Sequence, residues 1–157
     1  NKRVAEIAKL LGEAYYNKMD YEQAVIYLEM HRNSGGKVNQ GDKYTLGYSY
    51  YKLKRYEDAI TAFNKIKGGK NEIAQNAYYH LGDCYVKIGK KNEAMSAFKA
   101  ARDIKVGDDR ITEDASFNYA KLNYELSNPY EDAIKALKKF LDEYPNSVNK
   151  TGLFKVL

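Results

Sequence analysis

The sequence predicts an all-α fold, a right-handed α-solenoid of stacked antiparallel helix pairs. Three observations lead to this prediction. A short motif recurs at a nearly constant interval, a second motif precedes each copy of the first, and the apolar residues between them follow a helical period. Because one helix pair cannot bury its apolar stripes alone, consecutive pairs are expected to stack on one another.

The first motif is the string YEDA with its variants YEQA and KNEA. Its alanine recurs at Ala24, Ala59, Ala94 and Ala133. The spacings are 59 − 24 = 35, 94 − 59 = 35 and 133 − 94 = 39 residues. In the first three copies a second motif, LGEAY, LGYSY or LGDCY, places a glycine 12 residues before that alanine. The fourth copy reads YAKLN and is one residue longer, so we expect an extra turn residue at 128–129.

Each copy is interpreted as two amphipathic helices joined by a short polar turn. In the third copy, Ala77, Leu81, Cys84 and Ile88 follow the three- and four-residue spacing of one helix face. The glycine pairs at 35–36 and 68–69 are typical of positions where a helix has ended. The predicted pairs are 3–17 with 20–33, 40–53 with 56–67, 73–89 with 91–105, and 111–127 with 129–143.

The glycines of the second motif lie inside predicted helices. Glycine there costs roughly 0.5 to 1 kcal/mol relative to alanine, so a compensating contact is expected. Close approach of the two helices of a pair would supply it. We therefore predict that Gly12, Gly47 and Gly82 face the motif alanines of their own copies.

These markers together resemble the tetratricopeptide repeat (TPR) family over residues 5 to 146. The resemblance rests on the LG and tyrosine of the first helix, on the small residue followed by leucine or an aromatic in the second helix, and on the closing Pro145. The second-helix matches are Ala24 with Leu28, Ala59 with Phe63, Ala94 with Phe98, and Ala133 with Leu137. The chain departs from the family at His31, Ile66 and Phe140, where a small residue is frequent.

The resemblance implies a single TPR domain over 1–157. Its repeat units are predicted at 5–39, 40–74, 75–112 and 113–147, and 148–157 would begin a further helix. The chain starts without methionine, and we expect it to be a fragment of a longer protein. The stretch FLDEYPNS is similar to TPR proteins of the bacterial cell envelope, which favours an envelope (periplasm) location over the cytoplasm.

The composition limits the classes of function. The 157 residues are 44% hydrophobic, enough for a folded core, and no apolar stretch is long enough to span a membrane. A single cysteine, Cys84, excludes an internal disulfide framework and any zinc site with several cysteines. The net charge of +5 is concentrated between Lys37 and Lys70.

The titratable residues do not form a catalytic pattern in the sequence. His31 and His80 lie in different copies, and Cys84 occupies a small-residue position. The acidic pairs Glu57–Asp58 and Glu131–Asp132 begin second helices, where carboxylates offset the positive end of the helix dipole. Asp108 and Asp109 could cap the following helix. The sequence therefore predicts a protein that is not an enzyme and has no cofactor and no metal.

The TPR resemblance implies that fixed positions of the first helices line a concave groove. This candidate peptide-binding set is rich in tyrosine, whose large apolar face and polar tip suit peptide recognition. The same tyrosines could instead pack between repeats. The set comprises Lys9, Glu13, Tyr16, Asn17, Tyr44, Tyr48, Tyr51, Lys52, Asn76, Tyr79, Asp83, Lys87, Phe117, Lys121 and Tyr124.

The leading hypothesis is a non-catalytic scaffold that binds a protein or peptide segment in this groove. The clamp by which some family members hold the carboxyl terminus of chaperones is absent from the equivalent positions, such as Lys9 with Glu13. One alternative is nucleic-acid binding through the basic second copy, although Lys54, Lys65 and Lys67 are predicted to lie away from the groove. Another is self-assembly through an uncapped end of the solenoid.

Overall fold

The structure is a computed structural model that describes residues 1–66, 68–126 and 130–156, with only the backbone at 130, 131 and 154–156. It contains two compact units, Asn1–Gly69 and Lys70–Leu157. The predicted all-α class is confirmed. Unit 1 contains α1 (Lys2–Asn17), α2 (Tyr21–Asn33), α3 (Gln40–Lys52) and α4 (Tyr56–Phe63). Unit 2 contains α5 (Glu72–Lys87), α6 (Lys91–Asp103), α7 (Asp109–Glu125), α8 (Tyr130–Glu143) and α9 (Lys150–Val156).

The predicted helix pairs are confirmed, with shifts at several ends. The largest shift is at α4, which was expected to reach residue 67 and ends at Phe63. After Phe63 the backbone forms a tighter turn of the 3₁₀ type, in which Ile66 N–H donates to the carbonyl of Phe63, three residues back, at 3.0 Å. Helix α7 begins two residues early since Asp108 caps it by accepting from Arg110 N–H at 2.8 Å. The predicted ends at 67, 127 and 129, and the extra turn residue at 128–129, lie outside the described residues.

The turn inside a helix pair has the same geometry in the first three copies. Its middle residue has a positive φ: 61° at Met19, 60° at Lys54 and 78° at Gly89. The next N–H returns to a carbonyl five residues back, as in Asp20 N to Tyr15 O at 2.9 Å, which closes the preceding helix. Only the third copy has glycine here. The left-handed conformation therefore costs Met19 and Lys54 roughly 1–2 kcal/mol that Gly89 avoids.

The helix glycines do mark close approaches, and the atoms nearest to them belong to large side chains of the paired helix. The atoms nearest to a Cβ added at Gly47 are in the ring of Phe63, at 2.7 Å, and those nearest at Gly82 are in the ring of Phe98, at 2.8 Å. At Gly12 the nearest atoms belong to Leu28, also at 2.8 Å. Each partner lies one helical turn beyond the motif alanine. The large side chain occupies the space that a Cβ of the glycine would need.

His31 departs from the family pattern, and the structure shows what accommodates it. Its buried ring lies between two carbonyl oxygens, with Nδ1 2.8 Å from Ala5 O and Nε2 3.3 Å from Lys37 O. Two copies later the large polar side chain is on the other helix. Gln75 replaces Ala5, and Ala101 replaces His31. The interface between the two helices of a pair therefore contains one small residue and one large polar residue in both the first and the third copy.

Gln75 holds three helices of unit 2 together. The side chain is fully buried, and its Nε2 donates to Ala101 O and Ile104 O at 3.2 Å and to Thr112 Oγ1 at 2.8 Å. Its Oε1 accepts from Asp108 N–H at 2.8 Å. Because every polar atom of this amide is satisfied, its burial does not carry the cost of an unpaired polar group.

Replacing Gly47 with alanine is expected to destabilise the protein. The new Cβ would lie 2.7 Å from Cε1 of Phe63, and the overpacking outweighs the gain in helix propensity of about 1 kcal/mol. We expect the free energy of unfolding to fall by about 1–2 kcal/mol in a urea titration. The matched control is Gly41→Ala in the same helix, where the nearest contact is 3.3 Å, to Asn39 Oδ1. Equal stability of the two variants would contradict the close approach.

Candidate functional site

The fifteen candidate residues all lie on first helices of the pairs. Unit 1 carries four on α1 and four on α3, and unit 2 carries four on α5 and three on α7. Most are half-buried, whereas Asn17, Lys52 and Lys87 are exposed. The predicted groove lined by the first helices of all four copies stays a prediction.

Unit 1 brings its four candidate tyrosines into one group. Tyr48 is at the centre, with its ring centroid 6.0 Å from that of Tyr16, 5.9 Å from that of Tyr44 and 6.0 Å from that of Tyr51. Rings at these distances are in favourable edge-to-face or offset contact. The structure therefore places α1 and α3 so that their half-buried aromatic residues form one surface.

Two members of this group were missing from the predicted set. Tyr21 packs edge-on against Tyr16 at 5.9 Å and against Tyr48 at 6.0 Å, and Tyr56 lies 6.2 Å from Tyr51. Both are the first letter of the YEDA-type motif and open a second helix. That position could have revealed them, since the turn is short and brings the start of the second helix beside the end of the first. The tyrosine cluster is defined as Tyr16, Tyr21, Tyr44, Tyr48, Tyr51 and Tyr56.

The phenylalanine that packs against the helix glycine also contacts a tyrosine of the cluster. Phe63 lies against Gly47, and its ring centroid is 5.9 Å from that of Tyr44. Unit 2 repeats the arrangement, with Phe98 against Gly82 and 5.9 Å from Tyr79. The glycine thus lets a buried phenylalanine sit beneath a half-buried tyrosine in both copies.

Tyr16 and Tyr44 of the cluster stay protonated at neutral pH. Burial, with the neighbouring Tyr48 and Tyr21, raises the pKa of Tyr16 to about 12. Burial likewise raises the pKa of Tyr44. Lys52 flanks the cluster, with its Nζ 6.0 Å from the Tyr48 ring centroid. An apolar surface with hydroxyl tips and one flanking ammonium suits a peptide better than a strongly charged ligand.

Lys9 is engaged inside unit 1. Its Nζ lies 3.2 Å from Oδ1 of Asp42, whose side chain is only 8% exposed. Asp42 also accepts from Asn39 N–H at 3.0 Å in the capping box of α3. Since a buried carboxylate requires a partner, Lys9 joins α1 to α3 by neutralising it.

Several unit 2 candidates make contacts within their own unit. The Tyr79 hydroxyl donates to the Asp114 carboxylate, which also accepts from Asn149 Nδ2 at 3.2 Å. Phe117 lies 5.7 Å from Phe140, and with Tyr124 it packs against a buried cluster that includes Leu153 of α9. These aromatic residues have structural roles within unit 2.

The remaining candidates do not converge on one point. Lys121 Nζ lies 3.9 Å from a Glu125 oxygen, and Asn76 Nδ2 donates to Glu72 O at 2.9 Å within its helix. Glu13 and Asp83 are half-buried on α1 and α5. The candidate site therefore contracts to the tyrosine cluster of unit 1, flanked by the exposed Asn17 and Lys52.

The titratable groups considered for catalysis are dispersed or inaccessible. Cys84 is fully buried, and burial followed by the nearby Asp83 raises its thiol pKa to about 12, so it is protonated at neutral pH. Glu57 and Asp58 lie in the first turn of α4 as expected, and Arg55 Nε pairs with Asp58 at 2.9 Å. Glu131 lies outside the described side chains. Among the residues with described side chains, no group of three or more His, Cys, Asp or Glu could hold a metal.

Two basic residues of the second copy, Lys54 and Lys65, lie outside the first helix that carries its candidate tyrosines, whereas Lys52 lies beside Tyr48. Lys54 is in the turn before α4, and Lys65 follows α4, where its carbonyl accepts from Lys43 Nζ at 3.3 Å. Lys67 lies outside the described residues. The nucleic-acid alternative requires tyrosines and cations on one face, and Lys54 and Lys65 do not provide that arrangement. None of the helices in the described part of the chain is both long and apolar enough to cross a bilayer.

Comparison with protein families identifies repeats over most of the chain. Two tetratricopeptide repeat models match residues 75–105 and 114–147. A third model, described as anaphase-promoting complex, cyclosome, subunit 3, matches residues 3–66. A comparison with curated proteins found no match.

Solved structures show the same fold. The chain is similar to YrrB, described as a TPR protein with an unusual peptide-binding site, at 23% identity and a TM-score of 0.76, covering 96% of this chain and 74% of that one. It is similar to MamA at 22% identity and a TM-score of 0.70, covering 90% of this chain and 74% of MamA. These likenesses support the predicted solenoid class.

The raised tyrosine pKa values predict a loss of stability at alkaline pH. Folding raises the pKa of Tyr16 and Tyr50 to about 12, whereas a tyrosine in the unfolded chain ionises near its ordinary pKa of 10.0. Their contribution is therefore complete below pH 10 and is lost as the pH rises through about 12. Phenolate absorbance should appear at higher pH in the native protein than in guanidinium-unfolded protein, and Tyr16→Phe should remove one late-titrating group. Superimposable native and unfolded curves would refute the burial argument.

Proposed function

Because this chain belongs to the tetratricopeptide repeat family, we propose that it is a non-catalytic scaffold whose tyrosine cluster binds a peptide segment of a protein partner. Proteins of this family bind protein and peptide partners. The observation that carries the proposal is the contact of Tyr16, Tyr44, Tyr48 and Tyr51, which lie on two different first helices and remain half-buried.

The chemistry of the cluster favours a peptide with aromatic or aliphatic side chains. Tyrosine rings offer a large contact area and lose little conformational entropy on binding, and their hydroxyls can hydrogen-bond to a peptide backbone. The ring contacts among the tyrosines restrict their rotamers before any ligand arrives, which lowers the entropy cost of binding. YrrB, a protein of similar fold, is described as having a peptide-binding site, which agrees with this class of ligand.

The proposed binding is tested with peptides selected from a random library on the wild-type protein. Tyr48→Ala combined with Tyr51→Ala removes the central ring and its neighbour, so we expect affinity by fluorescence anisotropy to fall at least about tenfold. Circular dichroism should show unchanged helicity.

Tyr27→Ala is the matched control for that experiment. Tyr27 stacks on Tyr15 at 5.6 Å in the same unit but is not part of the cluster. Its loss removes an equal ring without touching the proposed surface. If Tyr27→Ala and the double variant weakened binding equally, or if the double variant bound as the wild type does, the tyrosine cluster would not be the peptide site.

A second candidate function, self-assembly with another copy of the chain, is favoured by the surface of α1. Val4, Ile7 and Leu11 are 43%, 57% and 37% exposed. The positions equivalent to Ile7 in α7 and to Leu11 in α3 are Ala115 and Leu46, which are buried. Apolar residues that are covered in other repeats are thus available on α1.

A charged residue introduced on this face of α1 should show whether the face mediates self-association. If α1 mediates assembly, Ile7→Glu should lower the average mass measured by sedimentation equilibrium at high protein concentration. Lys2→Glu is the control on the same helix, because Lys2 is already polar and exposed. A wild-type protein that remains monomeric over the whole concentration range would remove this candidate.

A further inference from the structure

A second concave feature lies on the opposite face of α3 from the tyrosine cluster. It is a pocket of about 230 Å³ between α2 and α4. Its apolar lining comes from Leu28, Val38, Leu46 and Ala62. Leu46 is two residues from both Tyr44 and Tyr48, and side chains two positions apart are related by a rotation of about 200° around the helix axis, which places them on nearly opposite faces. The pocket is therefore distinct from the proposed peptide site.

Three cations also line this pocket: Arg32, Lys43 and Lys65. In the described part of the chain no ion pair is seen for Lys43 or Lys65, and Lys43 Nζ instead donates to the carbonyl of Lys65. Asp42 also lines the pocket, but its charge is offset by Lys9 at 3.2 Å. The pocket thus combines an apolar lining with a net positive charge.

The equivalent groove in unit 2 is lined by acidic side chains as well as by cations. Arg102 and Lys139 occupy the positions of Arg32 and Lys65. There the Arg102 guanidinium lies 4.6 Å from the ring centroid of Tyr119, and Lys139 Nζ is 3.7 Å from a Glu143 oxygen. Asp132 and Glu143 also line that groove. Arg102 and Lys139 thus have partners within unit 2, whereas no ion pair is seen for Lys43 or Lys65 among the described residues.

We propose that the α2–α4 pocket binds an acidic peptide segment, with one large apolar side chain in the pocket and flanking carboxylates on Lys43, Lys65 and Arg32. The volume of about 230 Å³ suits a single leucine-, methionine- or phenylalanine-sized group, and the cations complement glutamate or aspartate on either side. This site is independent of the tyrosine cluster and would let one unit hold two different segments.

A nucleic acid fits this pocket less well than an acidic peptide. Binding of single strands needs exposed rings on which bases stack, and the pocket lining includes no tyrosine or phenylalanine. The only ring there is that of His31, which is buried between Ala5 O and Lys37 O. An apolar lining also offers nothing to a phosphate backbone.

The test uses a labelled peptide with one leucine between two pairs of glutamates, titrated with the whole chain. Lys43→Glu combined with Lys65→Glu should weaken binding at least about tenfold, because two attractive contacts become repulsive. Replacing the leucine of the peptide with glycine should weaken binding of the wild-type protein by a similar factor. Circular dichroism and thermal unfolding verify that the variant is folded.

The matched control is Lys135→Glu combined with Lys139→Glu. This variant makes the same change in net charge at the equivalent groove of unit 2 and should bind the peptide as the wild type does. If both variants lost the same peptide affinity, the effect would be one of long-range charge, and the proposal would be overturned. The proposal would also be overturned if replacing the leucine of the peptide left its affinity unchanged. Loss of binding in Tyr48→Ala would assign the peptide to the tyrosine cluster instead. Tighter binding of a labelled oligonucleotide, abolished by the Lys43 and Lys65 changes, would assign the pocket to nucleic acid.

Discussion

The contact on which each of the first three copies depends is that between a helix glycine and a large side chain of the paired helix. Leu28, Phe63 and Phe98 occupy the space that a Cβ at Gly12, Gly47 or Gly82 would need. Glycine costs about 0.5–1 kcal/mol in a helix, and this close contact offsets that cost through dispersion and burial. In the second and third copies the same phenylalanine supports a half-buried tyrosine. The core contact and the candidate surface are therefore parts of one arrangement.

The repeats tolerate exchanges of polar residues when both sides of an interface change together. His31 opposite Ala5 and Gln75 opposite Ala101 both place one large polar side chain against a small residue, with its nitrogen atoms within hydrogen-bonding distance of backbone carbonyls. Such a group is stable in a core only when its hydrogen bonds are complete. This explains how the chain departs from the family pattern without losing the fold.

The two faces of α3 differ in chemistry and so in the ligands they suit. One face carries Tyr44, Tyr48 and Tyr51, an aromatic surface with hydroxyl tips. The other carries Leu46 and Lys43 at a pocket with an apolar lining and a positive charge. A single helix of this repeat can thereby present two chemically different surfaces, because residues at different positions of its period point in different directions.

The sequence by itself determined the helix pairs, their period and the helices that carry the candidate residues. These features follow from local rules: apolar spacing, glycine at helix ends and acidic first turns all act within a few residues of the chain. The same rules could not say which side chain would lie on Gly47, nor that Tyr21 and Tyr56 would join the tyrosines of the first helices. They also could not show that Lys9 pairs with Asp42, or that Phe117 and Tyr124 pack inward. Only the tertiary structure decided these points, because they depend on the distance and rotation between helices that are far apart in the sequence.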